Sequence, residues 1–231
     1  MIFDELQQAI IAKQNPTCVG LDTALEYLPE GMAAGKSLEE AAEAIFEFNK
    51  NIIDATCDIV PSVKVQIAYY EQYGYYGLRA FYNTLRYAKE KGLIVIADAK
   101  RNDIGATASR YAQAFLDEKD AFESDILTVN GYLGSDGILP FTEKCKANGK
   151  GIFVLVKTSN PSSGELQNLK LADGRTVYEC MGDMVEGWGA DTVGAYGYSA
   201  VGAVVGATYP EMGKILRQIM PKSYKSEAKR S

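Results

Sequence analysis

The chain has 231 residues, a formal net charge of −6 and a hydrophobic content of 47%. This length and composition are typical of one globular domain with a sizeable core, and they argue against a disordered chain. A groove that binds nucleic acid needs clustered positive charge, so the acidic balance argues against nucleic acid as the main partner. The sequence has no histidine, which excludes a Ser-His-Asp triad, a Cys-His pair and histidine-based zinc sites. Acid–base chemistry therefore falls to Lys, Asp, Glu, Tyr or Cys.

The cellular compartment is indicated by the cysteines and the N-terminal residues. Four scattered cysteines without a C-x-x-C pair predict reduced thiols. The N-terminal segment MIFDELQQAIIAKQ contains acidic residues and no signal-peptide pattern, and no apolar run is long enough to span a bilayer. We therefore expect a cytoplasmic protein without a membrane partner.

Short apolar, β-branched runs alternate along the chain with longer amphipathic segments. The runs predict buried parallel strands at 17–21, 59–66, 93–97, 124–129, 151–156 and 201–206. The amphipathic segments predict helices at 37–55, 72–91, 104–116, 136–147, 176–189 and 210–220. The first of these helices opens with a capping box formed by Ser37 and Glu40. Strands that recur with one helix between them form βα units, and hence an α/β fold with a parallel sheet.

The sheet can close in two ways, as a (β/α)8 TIM barrel or as an open, doubly wound sheet. Polar residues directly follow most of the predicted strands: Asp22, Lys64 to Gln66, Asp98 to Asp103, Asn130 and Thr158 to Pro161. Their distribution favours the barrel, where the C-terminal ends of all strands share one face. An open sheet instead concentrates its chemistry at one switch point. We predict a barrel with about six of its eight βα units in this chain.

The segment IVIADAKRNDIGATA has the densest polar cluster in the sequence. Side chains two residues apart on a strand point the same way, so Asp98 and Lys100 should project together, with Asp103 one turn later. Flanking carboxylates favour the charged ammonium, and burial opposes it. A lysine held in this way can protonate a carbon that builds up negative charge. A surface salt bridge at a strand end has the same spacing, so the residues alone leave both interpretations open.

The same segment carries a family resemblance. DAKRNDIGAT is similar to the D-x-K-x-x-D-I-x-x-T signature of orotidine 5′-phosphate decarboxylases. CVGLD resembles that family's first strand, VKVQIAYYEQYG its second, and KTSNPSSGELQ its fifth-strand loop. EGWGADTVGAYGYSAVGAVVGATYPE resembles the sixth unit of the longer bacterial branch. The resemblance implies a TIM barrel of the ribulose-phosphate-binding type that converts orotidine 5′-phosphate to uridine 5′-phosphate and CO2 in pyrimidine biosynthesis, without metal or cofactor.

The resemblance also implies roles for residues around the substrate. Lys100 would be the proton donor to C6 of the pyrimidine, and Asp98 would sit beside Lys100 and the substrate carboxylate. Asp22 and Lys64 would bind the ribose hydroxyls, with Lys64 also joining the charged chain with Asp98.

A second group of implied residues concerns the base and the neighbouring subunit. Asp103 and Thr107 would reach into the neighbouring subunit's site, so the family's homodimer shares its active sites. Ser159 would contact the edge of the base, and Ile104 and Pro161 would line the pocket around it.

The resemblance ends near the C-terminus. The family continues with a P-G-x-G-A-Q-G-G loop and an S-R-G-I-type turn that hold the 5′-phosphate, whereas this chain reads ILRQIMPKSYKSEAKRS. We therefore expect a barrel domain over 1–220 that is incomplete at its C-terminus, followed by a polar, frayed tail over 221–231. Two alternatives remain open. One is a catalytically inactive, truncated fragment that acts as a dimerising or nucleotide-binding module. The other is a sister sugar-phosphate decarboxylase, whose relatives usually use a metal ion and lack the S-N-P loop.

Overall fold

The computed structural model describes residues 1–32, 37–117 and 121–228, with backbone alone for 227 and 228. These residues contain seven strands: β1 (Cys18–Leu21), β2 (Ser62–Gln66), β3 (Ile94–Arg101), β4 (Ile126–Val129), β5 (Gly151–Lys157), β6 (Ser199–Gly206) and β7 (Ser223–Ala228). The strands follow one another in the sheet in chain order. β1, β2 and β3 pair in parallel, and so do β5, β6 and β7. This order is the one that repeated βα units produce.

Helices alternate with the strands, as the amphipathic pattern predicts. Their bounds are α1 (Ile2–Lys13), α2 (Leu38–Thr56), α3 (Ala68–Glu71), α4 (Gly74–Glu90), α5 (Gly105–Leu116), α6 (Ser135–Asn148), α7 (Gly164–Gln167), α8 (Val177–Gly189) and α9 (Pro210–Ile219). The capping box predicted for α2 is confirmed, because the Ser37 hydroxyl accepts from the Glu40 amide while the Glu40 carboxylate accepts from the Ser37 amide. No helix within the described ranges is long and apolar enough to cross a bilayer.

The chain divides into two compact units, which we call the N-terminal unit and the C-terminal unit. The N-terminal unit comprises Glu5–Ala99 and Ala114–Leu127. Its core includes Tyr70, Phe81 and Phe115, which are almost completely buried. The ring centroids of Phe81 and Phe115 lie 5.6 and 5.2 Å from that of Phe122.

The C-terminal unit comprises Met1–Asp4, Lys100–Gln113 and the chain from Thr128 onward. Its core contains the ring of Phe3, which packs edge-on against Phe153 at 5.3 Å and stacks on Tyr224 at 5.1 Å. Phe3 and Phe153 are almost completely buried, and full burial of a phenylalanine side chain contributes about 1.5–3 kcal/mol to stability.

The seventh strand corrects the prediction for the C-terminal segment. The sequence predicts a frayed tail over 221–231, but residues 223–228 of it form β7, which pairs with β6. The segment SYKSEA is polar, so its composition does not indicate a strand. The strand is stabilised by the contact of the Tyr224 ring with the rings of Phe3 and Tyr198. Ser223 is also fully buried. The described residues therefore contain seven strands, one more than the six that the sequence pattern predicts.

Candidate active site

Three neighbouring strands of the N-terminal unit place Asp22, Lys64 and Asp98 in one charged chain. Asp22 directly follows β1, Lys64 lies on β2, and Asp98 lies on β3 opposite Gln66. The Lys64 ammonium nitrogen lies 2.8 Å from Asp22 Oδ1 and 3.1 Å from Asp98 Oδ2. The Gln66 side-chain amide donates a hydrogen bond of 2.9 Å to Asp98 Oδ2. The structure therefore brings together three of the residues that the sequence predicts for the site.

The charged chain becomes more buried from β1 to β3. The exposed fraction of the side chain is 38% for Asp22, 24% for Lys64 and 8% for Asp98. Burial alone would lower the pKa of Lys64, but the carboxylates of Asp98 and Asp22 outweigh this effect and raise the pKa above its ordinary value. Lys64 is therefore a fixed positive charge between two acids.

A buried polar network lies behind Asp22, and sequence reasoning missed it. Thr23 follows Asp22 and donates a 2.5 Å hydrogen bond to the Asn49 side chain on α2. Asn49 donates to the Tyr70 hydroxyl at 2.7 Å, and Tyr70 donates to the Thr84 hydroxyl at 3.1 Å. Buried polar groups of this kind rigidify a structure when every member has a partner. The network therefore anchors the backbone next to Asp22 to three helices. An asparagine on the apolar face of α2 was the available signal.

Lys100 lies at the end of β3 with a left-handed backbone. Its φ is +46°, a conformation that among the described non-glycine residues only Gln14 shares. The Lys100 amide donates a 3.0 Å hydrogen bond to the Thr128 hydroxyl, and the residue is exposed. The backbone at Lys100 is therefore not that of a regular extended strand, and the expectation that Asp98 and Lys100 project together stays a prediction. A positive φ at a non-glycine residue costs of order 1–3 kcal/mol and occurs often at functional sites.

The residues after β3 lie at the start of α5. Asp103 is half-buried, and its carboxylate accepts a 2.8 Å hydrogen bond from the Ile104 amide. Ile104 is 54% exposed, and Thr107 is exposed on α5. Ile104 is thus a large apolar side chain on the surface, close in sequence to a charged strand end.

The loop after β5 carries Ser159 and Pro161. Pro161 is exposed and begins a 3-10 turn, and Ser159 is half-buried. Gly206 at the end of β6 lies directly against this loop, because a Cβ there would come within 2.9 Å of the Ser159 backbone. Glycine is therefore required at 206 by the close approach of the two segments.

The predicted site residues thus fall into three groups. The charged chain holds Asp22, Lys64 and Asp98, the β3–α5 segment holds Lys100, Asp103, Ile104 and Thr107, and the β5 loop holds Ser159 and Pro161. Across the residues that the structure describes, no group of three or more His, Cys, Asp or Glu side chains is arranged to hold a metal ion.

Comparison with known proteins identifies the family to which this chain is similar. The model of the "Orotidine 5'-phosphate decarboxylase / HUMPS family" matches residues 16–227. Orotidine 5′-phosphate decarboxylase of Clostridium perfringens (strain SM101 / Type A) is 46% identical over 217 residues, which is 94% of this chain and 74% of that protein. The Clostridium novyi (strain NT) protein of the same name is 46% identical over 224 residues, covering 97% and 76%.

The solved structures are similar to this chain in fold as well as sequence. Leishmania donovani OMP decarboxylase matches with a TM-score of 0.78 and 32% identity, over 97% of this chain and 78% of that one. This likeness, with the strand order, confirms the predicted α/β barrel class. The family model, the relatives at 46% identity and the shared fold show that the chain belongs to the orotidine 5′-phosphate decarboxylase / HUMPS family.

Proposed function

We propose that this chain decarboxylates orotidine 5′-phosphate to uridine 5′-phosphate and CO2 in the cytoplasm, with Lys100 as the proton donor. The observation that carries the proposal is the charged chain formed by Asp22 after β1, Lys64 on β2 and Asp98 on β3. β3 then continues from Asp98 to Lys100, the strained residue two positions later. The named activity of relatives at 46% identity supports the same reaction.

The proposed reaction requires the protein to stabilise negative charge that develops on C6 of the pyrimidine. When the bond between C6 of the pyrimidine and the carboxylate breaks, the electron pair stays on C6 and CO2 leaves. A fixed ammonium next to C6 stabilises this charge electrostatically, with little reorganisation. In the proposed mechanism the Lys100 ammonium then transfers a proton to C6, and water restores the proton on the lysine.

The charged chain has two roles in this proposal. Asp22 and Lys64 bind the ribose hydroxyls, so that binding energy from the sugar holds the substrate carboxylate near Asp98. Lys64 also balances the charge of both carboxylates, and its raised pKa keeps it protonated at neutral pH. Asp98, with its side chain only 8% exposed, is then a rigid negative charge beside the reacting centre.

The remaining residues are proposed to form the base pocket and the dimer contact. Ser159 contacts the edge of the base, and Ile104 and Pro161 line the pocket around it. Asp103 and Thr107 reach the neighbouring subunit's site in a homodimer. The exposure of Ile104 and Thr107 supports this part, since a shared site needs accessible side chains at the subunit boundary.

A decarboxylation assay on the 231-residue chain tests the proposal. We expect uridine 5′-phosphate to form at a rate that a metal chelator does not change, which separates the reaction from that of a metal-dependent sister enzyme. Lys100→Met should lower kcat on the order of 10²–10⁴-fold with the fold retained. Lys146→Met, a matched change at a surface ion pair with Asp191, should leave the rate unchanged.

Two results would contradict the proposal. A folded chain that forms no product would favour the inactive-fragment alternative. Parent turnover in the Lys100→Met variant would show that another group protonates C6.

A further inference from the structure

Lys157, the last residue of β5, is a buried lysine that the proposed mechanism does not use. Its exposed fraction is 1%. Its ammonium nitrogen lies 2.8 Å from the Ser163 hydroxyl oxygen and 4.8 Å from the centroid of the Tyr209 ring. No carboxylate lies within ion-pair distance of Lys157 in the part of the chain that the structure describes.

This arrangement costs stability. Removing an ammonium from water is expensive unless a carboxylate and further hydrogen bonds compensate for the lost hydration. One hydroxyl and one aromatic face compensate only in part. Burial accordingly lowers the pKa of Lys157 below its ordinary value. A local feature that opposes stability is typical of a residue retained for function.

The side chain of Lys157 holds one end of the loop Thr158–Ser163. At the other end of this loop, the Thr158 amide donates to Gln167 Oε1 at 3.0 Å, and the Gln167 side chain donates back to the Thr158 hydroxyl at 2.7 Å. Gly206 closes the loop from the side of β6, in backbone contact with Ser159. The loop is therefore fixed at three points.

Ser159 itself is the second residue of this fixed loop. Its hydroxyl forms no hydrogen bond with any other described residue, although its neighbours Thr158 and Asn160 are hydrogen-bonded to each other at 2.6 Å. Ser159 is a half-buried residue on a fixed loop, so its hydroxyl is well placed to bind an external polar group, because little conformational entropy is lost on binding.

We propose that Lys157 is a positioning residue, which acts through Ser163 and Tyr209 to fix the loop Thr158–Ser163 and thereby orient Ser159 toward the pyrimidine edge of the substrate. The inference rests on the proposed function and adds a residue that acts through others rather than by touching substrate. A neutral side chain of similar length fills the same space, but it cannot donate to Ser163. The hydrogen bond that Lys157 donates to Ser163 is therefore the part of the side chain that the loop requires.

Two substitutions separate this role from simple packing, because the proposal gives them opposite effects on stability. Lys157→Met removes the buried charge, so its thermal midpoint should equal or exceed that of the parent. Ser163→Ala keeps the charge and removes its hydrogen-bond acceptor, so its midpoint should fall. In both variants, hydrogen exchange of the amides from 159 to 164 should speed up about tenfold. Lys214→Met, at an exposed ion pair with Glu211, is the matched control and should change neither quantity.

Kinetics on orotidine 5′-phosphate then test the link to substrate. We expect KM to rise about tenfold in both loop variants while kcat changes less than about threefold, since Lys157 does not touch the reacting atoms. A lower midpoint in Lys157→Met with unchanged loop exchange would overturn the proposal and make Lys157 a packing residue. Faster loop exchange with an unchanged KM would overturn the assigned role toward the base. If the parent chain shows no turnover, the proposed function fails, and the stability and exchange data still decide whether Lys157 fixes the loop.

Discussion

The hydroxyl of Tyr70 should be a measurable source of stability, because it is the centre of the buried network behind Asp22. It accepts from Asn49 at 2.7 Å and donates to Thr84 at 3.1 Å. All three residues have an exposed fraction of 0%. Tyr70→Phe removes one oxygen, keeps the ring against Phe81 and leaves the Asn49 amide without its acceptor.

The magnitude follows from this burial. A buried donor left without a partner costs about 1–3 kcal/mol. For a chain of this length, each kcal/mol lowers the thermal midpoint by about 2–4 °C. We therefore expect Tyr70→Phe to lower the midpoint by roughly 2–12 °C at pH 8.

The pH dependence gives a second, independent measure. Burial, despite the hydrogen bonds to Thr84 and Asn49, raises the pKa of Tyr70 from 10.0 to about 12. The folded state therefore favours the neutral hydroxyl, and this contribution is complete below pH 10 and is lost as the pH rises toward 12. By pH 11 the loss is about 1.4 kcal/mol. Tyr70→Phe has no hydroxyl to ionise, so its stability does not include this pH-dependent loss. The difference in unfolding free energy between parent and variant should therefore narrow by about 1.4 kcal/mol between pH 8 and pH 11.

Chemical denaturation at pH 8 and pH 11 measures both effects. Tyr82→Phe is the matched control, because the Tyr82 hydroxyl accepts a solvent-exposed hydrogen bond from Arg86, and its change should stay within about 0.5 kcal/mol. The reasoning is refuted if Tyr70→Phe is as stable as the control at pH 8, or if the difference between parent and Tyr70→Phe is independent of pH.

Two further predictions concern the C-terminal unit. Burial opposes ionisation of Asp4, but the backbone amides of Tyr196 and Ala195 outweigh it and lower the pKa of that carboxyl. The contribution of Asp4 is thus present above its unfolded pKa of about 3.9 and is lost as the pH falls. Asp4→Ala should cost about 1.5–3 kcal/mol at pH 7 and much less at pH 2.5, measured by urea unfolding; equal costs at both pH values would be inconsistent with an ionised acceptor. Gly202→Ala places a Cβ 2.7 Å from the Phe153 ring and should cost about 1–3 kcal/mol, whereas Gly213→Ala, with open space around it, should not destabilise.

Local patterns in the sequence were sufficient to predict most of the sheet. The apolar runs placed β1 to β6 within a few residues of their bounds, because buried parallel strands leave a clear apolar pattern. The polar residues at and after the predicted strands correctly indicated the charged chain, since Asp22 follows β1 while Lys64 and Asp98 lie on β2 and β3. The roles assigned to Lys100, Ser159 and the proposed dimer contact stay predictions.

Other features depend on contacts that no local pattern contains. β7 is stabilised by the packing of Tyr224 on Phe3, a residue more than two hundred positions earlier. Because the local sequence of β7 is polar and does not contain this contact, it predicted a tail. The left-handed backbone of Lys100 could not be predicted, because this conformation is usually indicated by a glycine and the residue here is a lysine. Lys157 ends the apolar run GIFVLVK and resembles a lysine that extends to solvent, and only the packing of Ser163 and Tyr209 identifies it as buried.

The most direct test of the account is to remove and then restore the ammonium at position 100. Lys100→Cys should abolish turnover of orotidine 5′-phosphate, and alkylation with 2-bromoethylamine, which rebuilds an ammonium on a chain of similar length, should return activity at least about tenfold above the untreated variant. The parent treated in the same way controls for its own cysteines, of which Cys18 is exposed. A folded Lys100→Cys variant that keeps parent activity, or that gains none on alkylation while the treated parent stays active, would contradict the assignment of Lys100 as the proton donor.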